Sequence, residues 1–186
     1  MLQVREEIDA LATLIRERGC RSLLEVGSKF GGSLDVLARA MPIGSRVVSV
    51  DMPGGTKLWR ESEPALKGVI AALKADGYDT SVIWGDSTDA AVIRAVTALG
   101  PYDAIFIDAN HTEPFVRQDW ANYGPLGMMV AFHDIAWRRA PEWVGVRIDV
   151  PKVWDELTRE YPHVAFRFCP TGKNNGIGVL FRDQPC

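Results

Sequence analysis

The run Glu25-Val26-Gly27-Ser28-Lys29-Phe30-Gly31-Gly32-Ser33 is the segment best suited to holding a small ligand. Gly27, Gly31 and Gly32 let the backbone approach that ligand with no Cβ in the way. Its spacing excludes two common ligands. A dinucleotide fingerprint needs glycine two positions after the first, where the chain meets pyrophosphate, and Lys29 stands there. A triphosphate loop needs lysine directly after the second spaced glycine, but Ser33 follows Gly32. A phosphate-free nucleoside fits what is left. Asp51, followed by Met52, could accept from both hydroxyls of a ribose, while Asp86, between Gly85 and Ser87, could accept from an adenine amine.

A second set of polar residues closes two later apolar runs, as Ile107-Asp108-Ala109-Asn110-His111 and Phe132-His133-Asp134. Two carboxylates and two imidazoles meeting at one sheet edge can move a proton or hold a divalent cation. Each also has a plainer use. Asp108 could cap the next helix, His111 could be a solvated loop residue, and His133 could satisfy itself on backbone carbonyls.

The elements that must position these groups follow from periodicity. Val4, Ile8, Leu11, Ala12 and Ile15 recur at helical spacing and Gly19 stands where a cap belongs, so residues 1–19 are predicted to be an amphipathic helix. Apolar runs then alternate with helical patterns: SLLEVG, RVVSVD, TSVIWGD, YDAIFID and GMMVAFHD are separated by helices, the last of them opening near Thr112 with Pro114 in its first turn. This βαβ rhythm predicts a parallel sheet whose ligands bind at the carboxyl ends of its strands. Residues 136–150 fit neither period and carry Trp137 and Trp143, which predicts an inserted loop on the substrate side. Pro151 then opens a helix, and VAFRFC and GIGVLF, with only a turn between them, should pair antiparallel. The prediction is one α/β domain over residues 1–186, a Rossmann-like doubly wound sheet of seven strands, mostly parallel, with helices on both faces.

Composition narrows the partners. A net charge of −3 with scattered Lys and Arg offers no footprint for nucleic acid or anionic lipid, so a small-molecule acceptor is expected, and no nucleic acid or membrane. Cys20, Cys169 and Cys186 lack metal-ligand spacing and suit a reducing compartment, and the charged first helix is neither a leader nor a membrane span. The expected location is cytoplasmic. The first helix could pack at home or against a second copy, so a homo-oligomer is compatible with the sequence.

On the E-x-G-x-x-x-G-G-S turn and the acids Asp51 and Asp86, the chain resembles the class I S-adenosylmethionine-dependent methyltransferases over roughly residues 20–182. The resemblance implies S-adenosylmethionine as cofactor. Glu25 and Gly27 would face its methionine portion, Asp51 its ribose, and Asp86 with Ser87 its adenine, with Ser28, Gly31, Ser33, Met52, Gly85 and Asp108 completing the cofactor site. Within that class the second set of residues is similar to metal-assisted O-methyltransferases, especially the methyltransferase domain 24 group related to cephalosporin-hydroxylase-like and macrolide-sugar enzymes. It implies that Asp108, His133 and Asp134 hold Mg²⁺ or another divalent cation, and that His111, with Asp108, is catalytic, His111 taking the proton of the acceptor hydroxyl. Some relatives carry a second acid where this chain has His133, a nitrogen donor that Mg²⁺ disfavours. Two rival functions stay open here: a non-haem metal-dependent hydroxylase on the same fold, and a non-catalytic nucleoside-binding domain.

Overall fold

The computed structural model describes residues 4–54, 61–137, 147–168 and 175–182. Its elements run α1 (Arg5–Glu17), β1 (Ser22–Val26), α2 (Gly32–Arg39), β2 (Arg46–Asp51), α3 (Ser62–Ala75), β3 (Asp79–Trp84), α4 (Ala90–Leu99), β4 (Tyr102–Ile107), α5 (Glu113–Tyr123), β5 (Gly127–His133), α6 (Val150–Leu157), β6 (His163–Phe166) and β7 (Ile177–Phe181). One seven-stranded sheet has the order β3-β2-β1-β4-β5-β7-β6. The first five strands are parallel, and β7 enters antiparallel between β5 and β6. The predicted fold class, closing antiparallel pair included, is therefore observed.

The near-continuous apolar character of the strands is explained by a core on each side. In β1, Leu23 packs on one face and Leu24 on the other; Val47 and Val48, Phe106 and Ile107, and Ala131 and Phe132 divide in the same way. Helices α1, α2 and α3 cover the first face through Ile8, Leu11, Leu34, Leu37, Leu66 and Leu73, all almost fully buried. Helices α4, α5 and α6 cover the second, through Val96, Val116 and Trp154 among others. Each buried Leu contributes on the order of 1.5–3 kcal/mol, which fixes strand register and with it the strand ends. Gly178 of β7 serves the same packing: a Cβ there would meet the Trp154 ring at 2.4 Å, so only glycine lets α6 lie this close to the sheet.

Local signals stand close to where the sequence puts them. Thr112 is the residue before α5, Gly19 (φ 65°) follows the end of α1, and Pro151 lies in the first turn of α6. The strand predicted as VAFRFC stops at Phe166, and Cys169 lies outside the described residues. Of the predicted loop 136–150, residues 138–146, with Trp143, also lie outside them, while Trp137 is half-buried beside the turn that ends β5. No described helix is long and apolar enough to cross a membrane.

Candidate active site

β1 lies between β2 and β4, so strand order reverses on either side of it and a crevice opens at its carboxyl end. The glycine turn fills that position. Gly27 has φ 91° and donates to the carbonyl of Val50 at 2.9 Å; a Cβ on it would fall 2.4 Å from the carbonyl oxygen of Asp108. The turn continues through Lys29, a non-glycine residue in the left-handed region (φ 51°), and Gly31 (φ 77°), which leads into α2 with Ser33 buried in its first turn. Left-handed geometry at a lysine is uncommon and here has an evident brace: the Lys29 N–H donates to one oxygen of Asp51, and the Met52 N–H to the other at 2.7 Å. Each Asp51 oxygen retains a lone pair for a ribose hydroxyl.

Glu25 lies beneath this turn with no exposed surface, and neither of its carboxylate oxygens has a hydrogen-bond partner among the described residues. Burial pushes its pKa up to about 8; the nearby Ser28 and Ser33 hydroxyls act against the rise, and the charges of Asp108 and Asp51 add to it. Ser28 is itself held by the Ser49 hydroxyl at 2.7 Å. A buried acid poised in this way is matched to a cationic ligand group.

At the end of β3, the Gly85 N–H donates to the Asp51 carbonyl at 2.9 Å. Asp86 closes a tight turn in which its Oδ1 accepts from both the N–H (2.8 Å) and the hydroxyl (2.7 Å) of Thr88. The Ser87 carbonyl accepts from the Tyr123 hydroxyl on α5. Glu25, Gly27, Ser28, Gly31, Ser33, Asp51, Met52, Gly85, Asp86 and Ser87 thus lie along the carboxyl ends of β1, β2 and β3. Asp108 joins them from β4, its N–H donating to the Val26 carbonyl at 2.8 Å.

The second set also comes together. His111 Nδ1 lies 2.7 Å from Asp134 Oδ2, and its Nε2 lies 3.4 Å from Asp108 Oδ1. His133 Nδ1 stands 3.1 Å from Asp108 Oδ1 and 3.3 Å from Asp134 Oδ1. Asp134 takes the left-handed conformation at φ 62°, a strained choice that aims its carboxylate back at His111. For both rings burial opposes the charged form, but the neighbouring carboxylates outweigh it. His111 is raised chiefly by the Asp134 carboxylate 2.7 Å from its Nδ1 and by the charge of Asp108, and His133, raised to about 9, chiefly by the charge of Asp108. A narrow cleft beside them is lined by Asp108, Asn110, His111, Val116, Phe132 and His133. The His111 loop is fixed by Asn110 Oδ1, which accepts from the Thr112 N–H at 3.0 Å, and by the Asp149 N–H, which donates to the His111 carbonyl at 2.8 Å.

The expected metal set of Asp108, His133 and Asp134 is therefore assembled, but as carboxylate–imidazole pairs. No group of three or more His, Cys, Asp or Glu among the described residues is arranged to hold a metal ion. Mg²⁺ requires a near-octahedral oxygen shell, and this nitrogen-bearing, mutually paired set does not fit it.

Several contributors were not legible in the sequence. Glu7 of α1 is fully buried and accepts from the N–H groups of Phe168 and Gly176, each at 3.0 Å. Asp149 joins the His111 loop to α6 and also accepts from the Glu113 N–H at 3.1 Å. Asp119 is buried on α5. The available signal was an acid within an apolar stripe: Glu7 precedes Ile8 and stands four residues before Leu11, and Asp119 lies between Val116 and Tyr123 at helical spacing.

A sheet of this order with a glycine turn at its first strand end and acids at the next two is the class I methyltransferase arrangement implied by the resemblance. The chain belongs to the methyltransferase domain 24 family, whose model, described as a methyltransferase domain, matches residues 24–135. No curated protein matches the sequence. Similar solved structures include the O-methyltransferase TomG from Streptomyces achromogenes, involved in tomaymycin synthesis and solved in complex with SAM (18% identity, TM-score 0.70, covering 96% of this chain and 80% of that one). Another is an O-methyltransferase from Bacillus cereus in complex with SAH (19% identity, TM-score 0.71, covering 97% and 82%). A third is a putative caffeoyl-CoA O-methyltransferase from Staphylococcus aureus (19% identity, TM-score 0.69, covering 97% and 85%). At these identities the likeness speaks for the fold.

Proposed function

We propose that this protein transfers the methyl group of S-adenosylmethionine to a hydroxyl of a small metabolite, and that residues 1–186 act as one catalytic domain in the cytoplasm. The observation that carries the reading is His111, held between Asp134 at 2.7 Å and Asp108 at 3.4 Å at the edge where the glycine turn opens. Support comes from membership of a methyltransferase family and from O-methyltransferases of the same fold whose structures hold SAM or SAH.

The cofactor would lie across the ends of β1 to β3, its methionine ammonium toward Glu25, its ribose on Asp51 and its adenine at Asp86 and Ser87. Methyl transfer from a sulfonium is an in-line displacement: the acceptor oxygen forms the new C–O bond as the S–CH₃ bond breaks and leaves a neutral thioether. The acceptor must lose a proton, and in our scheme His111 Nε2 takes it while Asp134 holds Nδ1–H and fixes the tautomer. Asp108 then faces the imidazolium that results. His133, set between Asp108 and Asp134, keeps the two carboxylates from repelling one another.

Two measurements test the reading. Calorimetry with S-adenosylhomocysteine should give stoichiometric binding, and labelled S-adenosylmethionine should deliver its methyl to members of a panel of phenols and sugar alcohols. Binding without transfer to any acceptor would favour the silent nucleoside-binding domain, and absence of binding would remove the enzymatic reading.

A further inference from the structure

Glu7, on the first helix, is a buried carboxylate that the chemistry above does not use. It has no exposed surface, and both of its oxygens are satisfied by backbone: Oε1 accepts from the Phe168 N–H and Oε2 from the Gly176 N–H, each at 3.0 Å. Burying a carboxylate costs stability even when it is hydrogen-bonded, and Ile8 and Leu11 already dock α1 on the sheet, so holding the helix does not require a charge here. What the carboxylate does is fix two backbone points, one beyond the end of β6 and one before the start of β7.

The second of those points leads to the catalytic edge. The Gly176 carbonyl accepts from the Ile135 N–H at 3.3 Å, and the Asn175 carbonyl accepts from the Ala136 N–H at 3.0 Å. The ladder between β5 and β7 ends at His133 and Ile177, so these two bonds continue it past Asp134. Contact between the segments is close: Gly176 is left-handed (φ 70°), and a Cβ on it would lie 3.0 Å from both Ile135 Cγ1 and Ala136 Cβ. Asp134, with its carboxylate 2.7 Å from His111 Nδ1, is itself left-handed at φ 62°. A non-glycine residue keeps that conformation only while its surroundings hold it.

We infer that Glu7 is a positioning residue for the proton-accepting pair: by anchoring Gly176 to α1 it holds the 134–136 turn, and with it the aim of the Asp134 carboxylate at His111. This inference rests on the roles given to His111 and Asp134 above. It makes the first helix part of the acceptor side of the site, whereas the cofactor turn is braced separately, by Asp51. His133 and Asp134 also act on Glu7 through their charges, a route that a shorter carboxylate would keep.

Amide exchange on the full chain, with S-adenosylhomocysteine calorimetry and labelled-methyl turnover beside it, tests the inference. In wild type the N–H groups of Phe168, Gly176, Ile135 and Ala136 should open together, with one free energy and one denaturant dependence, a result that requires no variant to fold. Glu7→Gln keeps the volume but turns an amide N–H toward one of the two backbone donors. Exchange at Ile135 and Ala136 should then rise by about tenfold more than at Gly27 and Gly85, whose N–H groups bond to β2. Turnover should fall by about tenfold while affinity for S-adenosylhomocysteine stays within about twofold. Glu7→Asp, which keeps the charge but is one methylene short of its donors, should behave like Glu7→Gln. Separate opening in wild type, a uniform rise in exchange, wild-type turnover in the folded variants, or rescue by Glu7→Asp would each overturn the positioning role. A wild type that methylates no acceptor would instead overturn the catalytic reading, and exchange would still decide whether Glu7 holds the 134–136 turn.

Discussion

Gly27 sits against the backbone of Asp108 so closely that a Cβ on it would lie 2.4 Å from the Asp108 carbonyl oxygen. The turn that would hold the methyl donor and the strand end that would handle the acceptor proton are thus in direct contact. Gly27→Ala must displace one or the other, and at φ 91° it also strains its own backbone. We expect at least about a tenfold loss of S-adenosylhomocysteine affinity and a stability loss of roughly 1–3 kcal/mol, read by calorimetry and chemical denaturation. Wild-type affinity in this variant would mean that the ligand lies elsewhere.

His111→Ala should lower turnover by about 10²–10⁴-fold, the usual worth of a positioned base, while cofactor affinity stays within about twofold. Asp134→Asn should follow it in the same direction with a smaller loss. Asparagine tolerates the left-handed backbone observed at φ 62°, so the change tests the charge rather than the conformation. Single-turnover kinetics with labelled cofactor separate these effects from product release.

Glu25 gives a pH dependence whose sign is fixed. Its pKa is raised from 4.5 to about 8, so across that window the folded protein holds a proton that the unfolded chain has released. Stability should therefore fall as pH rises from the lower value to the higher, then level off. Glu25→Gln should flatten this slope and raise the melting temperature at pH 9 by several degrees, with little effect near pH 4. The same variant should bind cofactor more weakly, because it cannot ionise against the methionine ammonium. In wild type that ionisation should appear as proton release on binding, measured by calorimetry in buffers of different ionisation enthalpy.

Dialysis against EDTA should leave turnover within about twofold, since the donor set at Asp108, His133 and Asp134 does not suit Mg²⁺. Activity that vanished on chelation and returned with Mg²⁺ would restore the divalent cation implied by the family resemblance.

The sequence revealed those parts of the site that each strand delivers by ending. Asp51, Asp86, Asp108 and Asp134 follow apolar runs long enough to be read as strands, and parallel connections bring such ends to a single edge. It also revealed Gly27 and Gly31, whose spacing carries a backbone requirement. It did not reveal Glu7 or Asp149, because their bonds reach residues remote in the chain: Glu7 accepts from the N–H groups of Phe168 and Gly176, and the Asp149 N–H donates to the His111 carbonyl. Nor did periodicity foresee that β6 would stop at Phe166, since apolar residues continue to Phe168 without the neighbour that extends a strand.

Glu7 spans 161 and 169 positions to reach its two backbone donors. The residues that satisfy this buried carboxylate flank the last two strands, so α1 can rest its apolar face on α2 early but completes its polar anchor only when β6 and β7 have joined the sheet. Closing the first helix onto the last strands is the longest-range contact of this kind and the slowest to form.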